Sequence, residues 1–350
     1  MPLDIPPAAV RFGWSVVVIT VASVVVTAGA GPDSGSHQHV GLAFAWLLFA
    51  GSSVHVSATL ALFSFPEIRA YARRRPARYL LAPVALLTTA VVTSLVLPIR
   101  GLSVALLAFF AWQLWHYQKQ NLGLASLAAA SARLPSLGLV ERRCILGSGI
   151  GGILALIARP DVLQIVTVRL PVPIATATFA LALLVLGISI ATSVVAVIRR
   201  RASATAAPAA LAVYLVAVAF PVPLVVARSP YAAIGGLTLA HGLQYLLLVG
   251  HVVLGPSGQS ATPRGAARIV ATSAVVVAAA GGLAATSHLH DHTQLAARAL
   301  FGVYLAVVMA HFVVDAGLWR LRDAFPRRWL GERIPDLLGV SRPTMHRQTE

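Results

Sequence analysis

The sequence predicts an all-α protein, a polytopic bundle of about ten transmembrane helices with both termini cytoplasmic. Three observations carry this. Of 350 residues, 58% are hydrophobic and only 11% are charged, against about 25% charged in soluble domains. Mean hydropathy is +0.81, an apolar surplus whose natural solvent is lipid. The apolar residues also fall into runs close to the roughly 20 that cross a hydrocarbon core, and the basic residues gather between those runs.

Taken in chain order, the expected spans are 12–30, 40–65, 79–98, 101–118, 144–158, 172–198, 207–227, 231–254, 267–286 and 295–316. The first ends in an Ala-rich stretch like a signal-peptide cleavage site. The long run, preceded by Asp4 and several prolines, reads instead as an uncleaved span. The third and fourth are parted only by Pro98, Ile99, Arg100 and Gly101, a tight hairpin. The fifth, with GSGIGGILALIA, is short and glycine-rich enough to cross tilted or to be re-entrant. PVP triplets at 171–173 and 221–223 mark span ends or kinks. Residues 1–319 thus make the bundle, and 320–350 a basic cytoplasmic tail, surface-lying or mobile.

Charge orients this topology. With the N-terminus inside, 22 of the 27 lysines and arginines face the cytoplasm. Only Arg100, Arg159, Arg169, Arg228 and Arg298 lie outside, as the positive-inside rule requires. Deleting the fifth span would invert every later loop and scramble the division. The net charge of +16 therefore reads as residence in a cell's inner (plasma) membrane, with membrane lipids as partners and no nucleic acid. The basic run RAYARRRPARYLLAP at 69–83 suits anionic headgroups. The single cysteine, Cys144, excludes an internal disulfide and any CxxC motif.

The eleven histidines form two sets. His37 and His39 (SGSHQH), and His288, His290 and His292 (SHLHDH), lie in outer loops that read as solvated or as weak surface metal sites; His346 is in the tail. The second set, His55, His116, His241, His251 and His311, lies inside spans two, four, eight and ten. All four spans run outside to inside and carry histidine at a similar depth. Intramembrane polar side chains face the bundle interior or a water-filled cavity, so four such helices can bring imidazoles together. Asp315 is four residues from His311, about 40° away on a helical wheel. Gln113, His116 and Gln120 form one stripe in QLWHYQKQNLG, and His241, Gln244 and Tyr245 another in HGLQYLLLVGH. Trp112, Trp115 and Tyr117 read as a boundary belt, and Lys119 and Asn121 as the surfacing end of span four. The plainer alternative is that each histidine only hydrogen-bonds a neighbouring helix.

The segments WHYQKQNLG, HGLQYLLL and HFVVDAGLWRLRD resemble an uncharacterised group of polytopic bacterial membrane proteins with His-bearing helices. There is a fainter resemblance to the Brp/Blh-type membrane carotene dioxygenases. That likeness implies a multi-helix fold with iron held by histidines from separate spans, which would fall on His55, His116, His241 and His311. The sequence lacks the family's His-Gly-x-x-Asp and adjacent His-His features; HFVVD is its nearest fragment.

Imidazoles with one carboxylate and no thiolate suit Fe, Cu, Zn or Ni. The expectation is an integral membrane metalloenzyme, an iron-dependent oxidase or oxygenase acting on a hydrophobic small molecule that arrives from lipid. His55, His116, His241 and His311 are the expected ligands, Asp315 and Tyr245 the expected catalytic groups, and Gln120 and Gln244 the groups positioning what is bound. The rival readings are a haem-binding electron-transfer protein and a proton-coupled transporter using the same histidines and Asp315 as a relay.

Overall fold

The computed structural model describes residues 7–30, 49–163, 165, 167–202, 207–227, 229–255, 263–289 and 293–339. Among them every regular element is helical. In order these are α1 (Pro7–Ala30), α2 (His55–Leu62), α3 (Pro66–Arg73), α4 (Ala82–Val96), α5 (Ile99–Ser131), α6 (Leu139–Ala158) and α7 (Val172–Ala202), then α8 (Pro208–Ala219), α9 (Pro223–Val226), α10 (Gly236–Leu254), α11 (Pro263–Ser287), α12 (Leu295–Leu318) and α13 (Ala324–Arg333). Wide π turns at Ala50–Val54, Ala77–Leu81 and Tyr231–Gly235 lead into α2, α4 and α10.

Seven of the described segments are long and apolar enough to cross a membrane: Pro7–Gly29, Ala77–Val96, Val172–Arg201, Pro208–Val226, Tyr231–Leu254, Ile269–Ser287 and Leu295–Leu318. They coincide with seven of the ten expected spans. Of the other three, 101–118 and 144–158 lie within α5 and α6, and 40–65 is helical from residue 49 to the end of α2 at Leu62, followed by a turn at 63–65; residues 40–48 lie outside the described residues. The crossing segments at α8, α10 and α12 are half or more buried by their neighbours, whereas α4 and α11 are less than one-fifth buried. Apolar side chains on the outer helices, such as Val96, Leu184 and Val270, are exposed, as lipid-facing residues are.

Antiparallel pairs build the bundle. Arg298 of α12 donates to the carbonyls of Ser94 and Leu97 at 2.6 Å, and at the other end Arg78 donates to Ala316 O at 3.4 Å. The pair α6 and α7 is tied by Glu141 and Arg200 at one end, and Arg159 lies over the Phe179 ring at 5.6 Å at the other. Arg159 also donates to the carbonyls of Val225 and Ala227. Two of the five arginines expected outside thus satisfy carbonyls that a helix end leaves without partners.

Two expectations change. α5 does not end near Lys119 but continues to Ser131; Lys119 is exposed, whereas Asn121 is buried, donating to Gln118 Oε1 at 3.0 Å. Helices α6 and α8 cover the face of α5 that carries Gln118 and Asn121. The tail is not mobile over its described part: Trp329, Leu330, Ile334 and Leu337 join the main hydrophobic core, and Trp329 meets Phe65 edge to face at 5.4 Å.

Candidate metal centre

The crossing of the π turn before α2 over α10 sets the site. A Cβ on Gly51 would stand 2.6 Å from Leu239 Cα, and one on Gly242 would collide with the Gly51 backbone. Only glycine allows so close a backbone approach. Gly51 is one turn before His55 and Gly242 is next to His241, so the crossing brings those two imidazoles face to edge.

His55 (α2), His241 (α10), His116 (α5) and His311 (α12) stand at the corners of a closed quadrilateral. Its sides are 4.9 Å (His55–His241), 5.0 Å (His241–His116), 5.3 Å (His116–His311) and 5.1 Å (His311–His55) between ring centroids. Neighbouring rings are tilted 69–89° to one another. His55, His241, His311 and Asp315 are buried. Each histidine comes from a helix far away in sequence, and the structure brings all four together.

Aromatic side chains fix the ring planes. Tyr117 stacks on His241 at 4.1 Å and 28°, and Phe312 stacks on His116 at 4.3 Å and 24°. The residue after His116 therefore holds His241, and the residue after His311 holds His116. Tyr117 donates to Thr238 Oγ1 at 3.0 Å and is bonded by Gln113. It is a buried support, not the boundary residue expected from sequence. Thr59 is the other residue the sequence did not mark for this role. Its hydroxyl lies 2.6 Å from His311 Nδ1, 2.9 Å from Tyr245 OH and 3.4 Å from Asp315 Oδ1. Tyr245 donates to Asp315 Oδ1 at 2.9 Å. We assign His311 Nδ1–H as donor to Thr59, since this gives every proton of the group an acceptor. That leaves the His311 Nε2 lone pair free, 3.6 Å from Asp315 Oδ2.

The donors fall into two triads that share His311: His55, His241 and His311, and His116, His311 and Asp315. Within each triad all donor atoms lie within 4.8 Å of one another. No hydrogen-bond partner reaches His55 Nδ1 and Nε2, His116 Nε2, His241 Nδ1 and Nε2, or His311 Nε2. An unmet buried polar group costs about 1–3 kcal/mol. These six nitrogens lie on four adjacent rings; each neutral imidazole has one lone pair, so a shared cation would draw on one nitrogen from each ring and leave the other as an N–H donor. Donor atoms about 2.1 Å from a shared metal stand about 3–4 Å apart, so each triad, with its donors within 4.8 Å of one another, needs only slight closure to hold an ion.

Of the remaining predicted residues, Gln120 is among those that line the cavity beside the tetrad, and Gln244 is not. Gln120 donates to His241 O at 3.1 Å and to Gln244 Oε1 at 3.3 Å, and Gln244 donates to Thr20 Oγ1 at 2.7 Å. These bonds lace α5, α10 and α1 together below the tetrad, and none reaches an imidazole nitrogen. His251 is exposed, bonds its own helix at Leu247 O (2.8 Å) and stands apart from the tetrad. His288 is exposed, and His37, His39, His290, His292 and His346 lie outside the described residues.

Beside the tetrad opens a cavity of about 510 Å³. His116, Tyr245 and Asp315 form its inner wall, and Lys119, Arg320 and Arg322 are among its other lining residues. Compared with family models, curated proteins and solved structures, the chain matches none.

Proposed function

We propose that the protein is an integral membrane metalloenzyme of the inner membrane, an iron-dependent oxidase or oxygenase that acts on a lipid-soluble molecule. The supporting observation is the closed ring of four imidazoles, three buried and His116 half-buried, with ring nitrogens that lack partners and a carboxylate beside them. His55, His116, His241, His311 and Asp315 are the ligand set. Tyr245 and Thr59 hold Asp315 and His311 in place, as hydrogen-bonded outer groups do in metal sites. Bound iron would supply redox chemistry and oxygen activation. The chain supplies orientation of the donors, a proton-bearing Tyr245 at the cavity wall, and exclusion of bulk water by Phe312 and Tyr117.

The same reading takes the chain to cross the bilayer ten times with both termini cytoplasmic. The inward clustering of arginine supports that topology. The haem alternative draws less support from this geometry, because a porphyrin needs a slab between its axial ligands, whereas these rings pack edge to face at 4.9–5.3 Å. A proton relay would account for Asp315 and His311, but not for a square of four imidazoles.

Elemental analysis of detergent-purified protein tests the proposal. The expected result is one iron per chain with no Soret band. Two irons would divide the site into its two triads. Folded, active protein free of metal ends the reading.

A further inference from the structure

The cavity beside the tetrad is asymmetric in its chemistry. Its walls are apolar and aromatic, with Trp112, Phe312 and Leu248 contributed by the bundle and Leu330 and Ile334 by the tail. His116, Tyr245 and Asp315 close one end. Lys119 and Arg322, both exposed, and the half-buried Arg320 supply three cations at its rim. The acidic group near them is Asp323, which reaches Arg320 only at 4.0 Å, and Lys119 lies over the Trp115 ring at 5.7 Å. Three cations are thus gathered at the rim of a hydrophobic chamber, with Asp323 4.0 Å from Arg320 and Asp315, at the other end, already bonded by Tyr245. A purely hydrocarbon ligand would gain nothing from them. A volume of 510 Å³ lies within the roughly 300–1,000 Å³ typical of small-molecule sites and suits a single chain.

We infer that the ligand of this cavity is a single-chain amphiphile with an anionic head, carboxylate or phosphate. Lys119, Arg320 and Arg322 hold the head, and the chain lies along the aromatic wall toward His116 and Asp315. This rests on the proposed function in treating the tetrad as the reactive end, but binding itself needs no metal. The docked tail completes the chamber, so residues 324–338 belong to the binding site and not to a separate appendage.

Fluorescence quenching tests it, because three of the six tryptophans, Trp112, Trp115 and Trp319, line the cavity. Full-length protein is placed in nanodiscs of zwitterionic lipid, with and without bound metal. Dibrominated palmitate, the matching dibrominated alcohol and brominated phosphatidylglycerol are titrated in. The expected result is saturable quenching by the palmitate at least tenfold tighter than by the alcohol, whether or not metal is present. The triple variant Lys119→Ala, Arg320→Ala, Arg322→Ala should lose that tenfold preference and leave alcohol binding unchanged. An equal preference from the two-chain brominated phosphatidylglycerol, also lost in the variant, overturns the single-chain assignment and makes the ligand a resident phospholipid. Equal affinity for acid and alcohol, or a preference that survives the triple variant, overturns the inference. Because metal-free protein is measured alongside, loss of iron and loss of ligand binding are read separately.

Discussion

Gln118 and His116 stand two residues apart on α5, yet they belong to opposite kinds of buried polar cluster. Gln118 Nε2 lies 2.8–2.9 Å from the carbonyls of Ile145 and Ala217 and from Ser148 Oγ, and its Oε1 accepts from Asn121. Both polar atoms of the Gln118 amide have partners from α5, α6 or α8. On the other face of the same helix, His116 joins three imidazoles with six ring nitrogens unmet among the four. Burial of polar side chains is common to both clusters and so cannot mark function by itself. What separates them is satisfaction: one closes on itself and welds helices, and the other leaves ring nitrogens without partners.

Three substitutions sharpen that contrast. The largest effect is expected from His311→Ala, which removes the donor common to both triads. Iron content should fall below about one-tenth of wild type, while the helical circular-dichroism spectrum and elution volume remain unchanged; full retention of iron would place the metal elsewhere. Next comes Tyr245→Phe, which leaves every donor in place but releases Asp315 from its 2.9 Å hydrogen bond. Outer-group losses of this kind weaken metal binding about 10–100-fold, readable by chelator competition, with stability little changed. Smallest for the metal is Gln118→Leu. It should lower stability by about 1–3 kcal/mol through the partners it strands, seen as a lower thermal midpoint in detergent, with iron content intact. Should Gln118→Leu also strip the iron, the two clusters are one unit and the contrast fails.

The sequence made the helical class and the sharing of depth by His55, His116, His241 and His311 legible, because both follow from periodicity and from where polar residues interrupt apolar runs. The i, i+4 spacing of His311 and Asp315 likewise placed them on one face. Other features were hidden. Tyr117 looks like a boundary aromatic until α10 is seen to lay His241 on its ring. Asn121 looks solvated until α6 and α8 cover it. Gln120 and Gln244 sit on the predicted faces, but they point one turn away from the rings, a difference too fine for a helical wheel. Thr59 stands one turn after His55 on α2, but its partners come from α10 and α12, which no local pattern reveals.

That last contact also sets an order of events in biosynthesis. Thr59 and Asp315 are separated by 256 residues, and at about 5–20 residues per second a ribosome takes roughly 13–50 s to make that stretch. Until α12 is made, the early histidines lack their final companions. A metal held as proposed by all five donors is therefore acquired only after α12 has been translated, as a closing act of assembly.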